Sequence, residues 1–463
     1  MSIIIILFIT AIATLFSGIF QSGKISRYVA LAGLVVAFVA ASYGDCPFFT
    51  RYNNMFLYDG HTKLFTQIAL VVTFLIFLLG DFAFRLQKHF QQELYALMLF
   101  SLCGAIILFG YQNLVMLFLG IEVLSIPLYV LAGVNKNDLR SNEASLKYFL
   151  MGAFATGFLL FGIALVYGAS GSFDINIISQ YCEKPTDFNM IWVGVLMMLV
   201  GLLFKVSVVP FHFWSPDVYE GSPSLVATFM ATVVKIAGFS ALYNLITIAF
   251  LSFLPQIQNV LLVLAILTLI IPNIIGIWQD TSKRIMAYSS ISHAGYLLLI
   301  FFNTDTGSEY RLAFYLLSYS IATVGVFTAI TYVKRVYSDL SYIVTMNGLA
   351  KKEPIIALGA TVSLLSMAGI PLTAGFIAKL ALFTQAIETN LGLVIVAVIG
   401  SAISVFYYLK LIVAMYFKPM EKHLEEAEHA PKIYSVVSIL VMAFLFIAGI
   451  FTHIFINYIQ SYF

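Results

Sequence analysis

The feature that most restricts the fold is a succession of long apolar runs separated by short connections. A transmembrane helix needs about 20 mostly apolar residues, and most of these runs have that length. They lie near residues 2–20, 25–42, 64–84, 93–110, 111–133, 144–168, 190–209, 223–247, 254–278, 284–302, 310–333, 354–387, 391–417 and 433–460. The sequence therefore predicts an all-α polytopic membrane protein with about 14 transmembrane helices.

Composition excludes the main soluble classes. Hydrophobic residues make up 61% of the 463 residues and charged residues only 10%, whereas soluble domains average about 45–50% and about 25%. A chain this apolar has too little polar surface to cover itself in water. A soluble enzyme, a nucleic-acid-binding protein and a disordered protein are therefore excluded together.

The basic residues orient the predicted helices. Connections after odd-numbered runs contain Lys24, Arg27, Arg85, Lys88, Lys136, Arg140, Lys283, Arg284, Lys334, Arg335, Lys351, Lys352, Lys418, Lys422 and Lys432. Connections after even-numbered runs contain Arg51, Lys63, Lys184 and Arg311. By the positive-inside rule the odd connections are cytoplasmic, so both termini are expected on the periplasmic side. The first run lacks a basic segment before it and is interpreted as a span, not a signal peptide.

Six charged residues within the runs are candidates for burial in the membrane: Glu122, Lys147, Lys205, Lys235, Lys379 and Lys410. A charge at the centre of a bilayer costs about 2.5–3.5 kcal/mol even on lenient scales. Lys147 and Lys410 either reach the interface by extending their side chains or belong to an internal path. The other four are flanked by apolar turns and are expected to face a partner or a water-filled path.

Two runs are interrupted close to a buried lysine. Pro210 follows Lys205, while Pro371 and Gly375 precede Lys379. Proline removes a backbone donor and stops or bends a helix, and irregular backbone at membrane depth survives only inside protein or beside water. One interrupted helix in each half of the chain is typical of inverted repeats around an ion site near the membrane centre.

His293 lies in the serine-rich segment SSISHAGY. A histidine in a membrane helix is often only a hydrogen-bonded packing residue. The small and hydroxylated neighbours of His293 permit close packing and water, which favours a relay role here.

Cofactor motifs are missing from the sequence. Cys46, Cys103 and Cys182 stand far apart without CxxC spacing, so iron–sulfur and structural zinc sites are not expected. The histidines form no HxxxH or HExxH pattern, and no dinucleotide-binding or Walker A loop occurs. No metal or nucleotide cofactor is therefore expected in this chain.

Five segments together resemble the N subunit of bacterial NADH-quinone oxidoreductase (respiratory complex I) and its chloroplast and cyanobacterial counterpart. They are PFHFWSPDVYEGSPSLVATFMATVVKIAGFSAL from Pro210, LFLGIEVLSIPLYVL around Glu122, EASLKYFLMGAF around Lys147, KRIMAYSSISHAGY from Lys283 and GIPLTAGFIAKL around Lys379. The related L and M subunits and Mrp antiporters share PFHxWxPD but usually differ in the residues that follow. Ala378 departs from the glycine usual in the family.

The resemblance implies an antiporter-like fold with four parts: three helices in 1–92, one repeat of helices 4–8 in 93–247, an inverted repeat of helices 9–13 in 248–418, and a cytoplasmic loop with helix 14 in 419–463. It implies that Glu122, Lys205, Lys235, His293 and Lys379, with Lys147 near them, carry protons in a complex that couples quinone reduction to proton pumping in the bacterial inner membrane. It places NADH, FMN, iron–sulfur clusters and quinone in partner subunits, with M-type and K-type membrane subunits as neighbours.

Two other classes of function compete with a pumping subunit that has no redox site of its own. An Mrp-type cation/proton antiporter would bind sodium through clustered oxygen ligands, and Glu122 is the one carboxylate near the middle of a run. A lipid flippase or a scaffold does not explain the buried charges. Lysine suits proton relay, because burial favours its neutral form whereas arginine does not release its proton.

Overall fold

The computed structural model describes residues 2–20, 23–43, 51–52, 55–84, 90–305, 307–337 and 342–462. Cys46, Arg85 and Lys88 lie outside these described residues, and so do the side chains of Lys24, Arg51 and Arg335. The described chain is almost entirely helical, so the predicted all-α membrane architecture is confirmed.

The N-terminal part combines helices with one small hairpin. Its elements are α1 (Ser2–Phe16), α2 (Gly23–Tyr43), β1 (Arg51–Tyr52), β2 (Phe56–Leu57), α3 (Gly60–Leu78) and α4 (Gly80–Ala83), with a 3-10 turn at Ser17–Phe20. The strands pair antiparallel, with Arg51 opposite Leu57. Helix α1 packs on α2, and α2 packs on α3.

The next part of the chain contains eight helices. They are α5 (Gln91–Gly110), α6 (Leu114–Ala132), α7 (Leu139–Ser170), α8 (Ile175–Glu183), α9 (Phe188–Lys205), α10 (Trp214–Gly221), α11 (Ser224–Ala231) and α12 (Val233–Asn244), followed by a π-helical turn at Leu245–Ala249. Helix α5 packs on α6, and α7 packs on α9 along much of their lengths. The close approach of α7 to α9 requires glycine, because a Cβ on Gly162 would lie 2.7 Å from the carbonyl oxygen of Gly194.

The remaining part holds ten helices. They are α13 (Leu254–Ile277), α14 (Ser282–Leu298), α15 (Ser308–Tyr337), α16 (Leu349–Lys352), α17 (Pro354–Ala368), α18 (Ala374–Ile387), α19 (Leu391–Phe417), α20 (Lys422–Glu426), α21 (Lys432–Ile450) and α22 (Thr452–Gln460), with 3-10 turns at Leu251–Phe253, Leu299–Phe302 and Ile343–Met346. Helix α13 packs on α14 and α19, while α15 and α21 both pack on α17.

Twelve helical segments of the described chain are long and apolar enough to cross a membrane. Three shorter apolar helices accompany them: α1, α17 and α18. Helices α17 and α18 share the single run predicted at 354–387, so together they would make one crossing. The predicted number of about 14 spans stays a prediction, because α1, α17 and α18 are each too short to count as a span by themselves.

Side-chain caps explain where many of these helices begin. An Asp, Asn or Thr directly before the first turn accepts a hydrogen bond from a backbone N–H, which would otherwise lack a partner. The caps are Asp59 for α3, Asn113 for α6, Asp138 for α7, Asp174 for α8, Asp187 for α9, Thr281 for α14 and Asn390 for α19.

The centre of the fold consists of the segments Ser224–Ala249, Ser282–Phe302 and Ser308–Lys334, which are buried almost completely by other helices. Segments such as Leu139–Ser170 and Leu391–Phe417 instead expose most of their apolar side chains, as lipid-facing helices do. The central helices carry Lys235 and His293, so the fold places these polar residues away from lipid.

Candidate functional site

Lys205 is the last residue of α9, at the point where the helix stops. The backbone after it includes Ser207, whose φ of 62° ends the helical path, and regular structure resumes only at α10. The Lys205 side chain is buried, and its Nζ lies 3.5 Å from the Tyr129 hydroxyl and 5.4 Å from the centroids of the Tyr129 and Tyr148 rings. The cation therefore lies within cation–π distance of two aromatic rings on one side of it, and such contacts stabilise a cation.

Lys235 lies in the first turn of α12, just after a break that the sequence pattern does not predict. The break falls at Thr232, whose φ and ψ of −112° and −78° separate α11 from α12. Lys235 is buried, and its Nζ donates to the backbone carbonyl of Ser290 and to the Ser290 hydroxyl, the latter at 2.7 Å. Tyr319 donates to the same hydroxyl at 2.9 Å.

His293 is buried one turn after Ser290 on α14 and bridges two other helices. Its Nδ1 lies 2.7 Å from the hydroxyl of Tyr315 on α15, and its Nε2 lies 3.3 Å from the hydroxyl of Tyr408 on α19. A cavity of about 10 Å³ beside it is also lined by Ser318 and Gly375, which is about the size of one water molecule.

Lys379 lies on α18, after the break between α17 and α18. Its Nζ donates to the carbonyl of Ala368 at 3.2 Å and to the Ser401 hydroxyl at 2.9 Å, and lies 4.6 Å from the Tyr296 ring centroid. Because Ala368 is the last residue of α17, the lysine cation faces the negative end of that helix. Lys379 is buried like the other two lysines.

These contacts connect Lys235, His293 and Lys379 more closely than the sequence alone suggested. Ser290, which binds Lys235, is one turn from His293 on α14, and the ring of Tyr296, which faces Lys379, lies 5.8 Å from the His293 ring. Lys205 instead contacts tyrosines of α6 and α7. The structure thus forms one group around His293 and a separate one around Lys205.

Glu122 and Lys147 lie nearer to the surface. Glu122 is half-buried on α6, and among the described residues no ion pair within 4.0 Å joins it to Lys205. Glu122 lies about two helical turns before Tyr129, the α6 residue that Lys205 contacts. Lys147 pairs with Glu143 at 2.5 Å and with Asp217 at 2.6 Å, and 39% of its side chain is exposed. Lys410 likewise pairs with Asp280 at 3.0 Å.

Asp217 forms ion pairs with two cations in a charged cleft. It accepts from Lys147 at 2.6 Å and from Arg284 at 2.8 Å, and Arg284 also bonds Glu220 at 3.0 Å. Burial raises the pKa of Asp217, but the two cations outweigh this effect and lower the pKa below its usual value. The cleft has a volume of about 270 Å³, so it is large enough to be hydrated.

Lys283 lies in a helix and not in a connection, which corrects its assignment from the apolar runs. The pattern of apolar runs placed Lys283 and Arg284 between two runs, but both lie in the first turn of α14. Lys283 is fully buried, and its Nζ donates to the carbonyls of Ser222 at 2.5 Å and Glu220 at 3.4 Å. It therefore binds the C-terminal end of α10, where a cation is favourable.

The tyrosine, serine and acidic partners of the lysines were not predicted from the sequence. Tyr129, Tyr319, Tyr408, Ser290 and Asp217 each lie on a different helix from the charged or histidine side chain that they contact. The clustered serines of SSISHAGY were the one available signal. In the part of the chain that the structure describes, no group of three or more His, Cys, Asp or Glu side chains could hold a metal ion.

Comparison with known proteins identifies the class. Residues 112–404 match the family described as NADH:quinone oxidoreductase/Mrp antiporter, TM. A chain of the Mrp complex from Dietzia sp. has a TM-score of 0.85 at 19% identity, covering 100% of this chain and 97% of its own, which shows the fold alone. The fold and the buried lysines thus define an antiporter-like transmembrane protein.

More similar relatives identify the family within this class. Subunit N of NADH-quinone oxidoreductase from Flavobacterium psychrophilum is 38% identical over 446 residues, which cover 96% of each chain. A chain of respiratory complex I from Thermus thermophilus has a TM-score of 0.82 at 31% identity and covers 98% of each chain. This chain belongs to the NADH-quinone oxidoreductase subunit N family, as its sequence motifs predicted.

Proposed function

We propose that this chain is a proton-translocating membrane subunit of a bacterial NADH-quinone oxidoreductase. Protons move along Glu122, Lys205, Lys235, His293 and Lys379, and the energy comes from quinone reduction elsewhere in the complex. The chain is divided as 1–92, 93–247, 248–418 and 419–463, with the second and third parts related as inverted repeats. The relatives named as subunit N support the assignment to this complex. The contacts of the buried residues support the proton path.

One observation carries the proposal. Lys205, Lys235 and Lys379 are each at most 4% exposed, and in the described chain each is held by hydroxyl groups, backbone carbonyls and aromatic rings, with no carboxylate within 4.0 Å. A buried cation without a carboxylate partner is stabilised only moderately. Its protonation state therefore responds to charges that change nearby.

The charged cleft supports proton uptake from the cytoplasmic side. Lys147, Asp217 and Arg284 line or border it. The excess of basic residues in the neighbouring connections supports a cytoplasmic position for this end of the helices. Lys147 is thus the outermost member of the path. Both termini then lie on the periplasmic side of the bacterial inner membrane.

The chemistry of the described residues supports placing the redox cofactors in other subunits. NADH, FMN, iron–sulfur clusters and quinone bind to partner chains, and this subunit contacts M-type and K-type membrane subunits. Nucleotide loops and paired cysteines, which such cofactors require, do not occur in the sequence.

Replacing Lys235 by methionine tests the proposal. Lys235→Met keeps the length of the side chain but cannot carry a proton, so we expect NADH-driven acidification of inside-out membrane vesicles to fall at least about 100-fold, as general acid–base losses do. The matched control is Lys184→Met, because Lys184 is exposed at the end of α8. The amount of assembled complex on native gels normalises both rates.

Normal pumping by Lys235→Met would contradict the proposal. The same vesicles distinguish proton pumping from sodium-dependent transport, because wild-type pumping should be unchanged when choline replaces sodium. A strict sodium requirement would instead favour a cation/proton antiporter.

A further inference from the structure

A second cluster of titratable groups lies where α3, α12 and α15 meet. His61 and Glu309 occupy the first turns of α3 and α15, and Ser240 lies in the middle of α12. The Nδ1 atom of His61 is hydrogen-bonded to the Glu309 carboxylate, and Nε2 lies 2.7 Å from the Ser240 hydroxyl. Both ring nitrogens therefore have a partner that exchanges protons.

The cluster lies at the end of the helices opposite the charged cleft. His61 follows the second apolar run and Glu309 precedes the eleventh, so both adjoin even-numbered connections, which carry few basic residues. By the positive-inside rule this is the periplasmic end. Helix α12 also runs towards this end from Lys235 to Asn244, where Asn244 donates to the carbonyl of Phe109.

Exposure increases stepwise from Lys235 to the surface. Lys235 is 2% exposed, His61 is 5% exposed, and the Glu309 side chain is 27% exposed. Lys235 and Ser240 lie five residues apart on α12, which corresponds to about 7.5 Å along the helix axis. One or two bridging waters span such a distance.

We propose that His61 and Glu309 form a site that releases protons from this subunit to the periplasm. The inference rests on the proposed function, because Lys235 supplies the proton. The Ser240 hydroxyl passes a proton to Nε2 of His61 and regains one from the bridging water. The imidazolium then gives its Nδ1 proton to the Glu309 carboxylate, which releases it to water. The ring is then neutral with its proton on Nε2, and transfer of that proton to Nδ1 through water restores the starting tautomer.

The same hydrogen bonds also connect α3 to α15, so a purely structural role is the alternative. Other groups near His61 include Tyr243 on α12, whose ring centroid lies 6.3 Å away. The Asp305–Arg311 pair, at 2.7 Å, lies at the same end of α15. A glutamine at position 61 separates the two roles, because its amide can keep both hydrogen bonds but does not transfer a proton.

The test compares His61→Gln and Glu309→Gln with Asp305→Asn, which removes a carboxylate at the same helix end. We expect the first two variants to slow NADH-driven vesicle acidification at least about tenfold per assembled complex, and Asp305→Asn to pump at the wild-type rate. Wild-type pumping by either His61→Gln or Glu309→Gln would overturn the release site. If neither glutamine variant assembles, Ser240→Ala replaces them, with slowed pumping expected and unchanged pumping contradicting the site.

Failure of this inference is distinguishable from failure of the proposed function. If Lys235→Met loses pumping while Glu309→Gln retains it, the lysine path stands and protons leave by another route. If Lys235→Met itself pumps normally, the proposed function is wrong.

Discussion

At the scale of single residues, the buried lysines Lys205, Lys235 and Lys379 each lie against a tyrosine ring. The distances from Nζ to the ring centroid are 5.4 Å for Lys205 and Tyr129, 5.5 Å for Lys235 and Tyr319, and 4.6 Å for Lys379 and Tyr296. Such a contact contributes about 0.5–2 kcal/mol to a cation, less than a buried carboxylate would. The aromatic ring thus permits a charged lysine at membrane depth without fixing the charge there.

Tyr129 lies where it can couple the charges of Glu122 and Lys205, which are not in direct contact. Lys205 contacts its hydroxyl and its ring, and Glu122 lies about two turns before it on α6. In a double-mutant cycle on the unfolding of the purified complex, Glu122→Gln and Lys205→Met should therefore show an interaction energy of about 0.5–3 kcal/mol. The double variant should be more stable than the two single effects predict.

The control cycle combines Lys205→Met with Glu183→Gln, because Glu183 is exposed at the end of α8. That pair should be additive. Additive effects for Glu122 and Lys205 as well would mean that Lys205 depends on another partner.

Individual site residues could be predicted where the local sequence is informative. A lysine flanked by apolar turns can be recognised in the sequence, because placing its charge in lipid costs free energy. Its partners could not be predicted, because Ser290 lies 55 positions from Lys235 and Tyr408 lies 115 positions from His293. Contacts over such separations depend on helix packing, which a single sequence does not specify.

At the scale of helices, an interruption accompanies each of Lys205, Lys235 and Lys379. Prolines and glycines predicted those near Lys205 and Lys379, and the structure has interruptions at both places. Gly369 and Leu372 turn the chain there with φ values of 88° and 73°. The break at Thr232 contains neither proline nor glycine, so no residue type marked it in advance. Threonine hydroxyls bonded to the preceding turn accompany it instead.

Gly375 acts through close packing and not through helix breaking. It is the second residue of α18, and a Cβ there would lie 2.1 Å from the Ser366 carbonyl oxygen on α17. Gly375→Ala should therefore separate α17 from α18 and destabilise the protein by about 1–3 kcal/mol. A lower thermal unfolding midpoint of the purified complex would show this.

Gly157 provides the matched control for Gly375. It also lies in a helix, but a Cβ there meets nothing within 4 Å. Gly157→Ala should leave the midpoint unchanged or raise it slightly, since alanine favours helix. Equal midpoints for the two variants would contradict the role given to Gly375.

At the scale of the whole molecule, the three most buried helical segments are among the less apolar ones, and the two most apolar segments, Leu251–Ile277 and Lys432–Ile450, are largely uncovered by other helices. Composition predicted a polytopic membrane protein, because lipid imposes the same length on every crossing. The orientation inferred from the charge bias stays a prediction. Neither composition nor charge bias could predict which helices form the centre. That depends on serines, tyrosines and small residues of Ser282–Phe302 and Ser308–Lys334, whose burial is evident only once the helices pack.

The central claim is that the buried lysines exchange protons and do not merely hold a charge. The most direct measurement is NADH-driven proton pumping by the Lys205→Arg variant in inside-out vesicles, normalised to assembled complex. Arginine keeps the positive charge at position 205 but does not release its proton in a protein. We predict assembly close to wild type with pumping lost. Wild-type pumping by Lys205→Arg would contradict the claim and make Lys205 an electrostatic anchor.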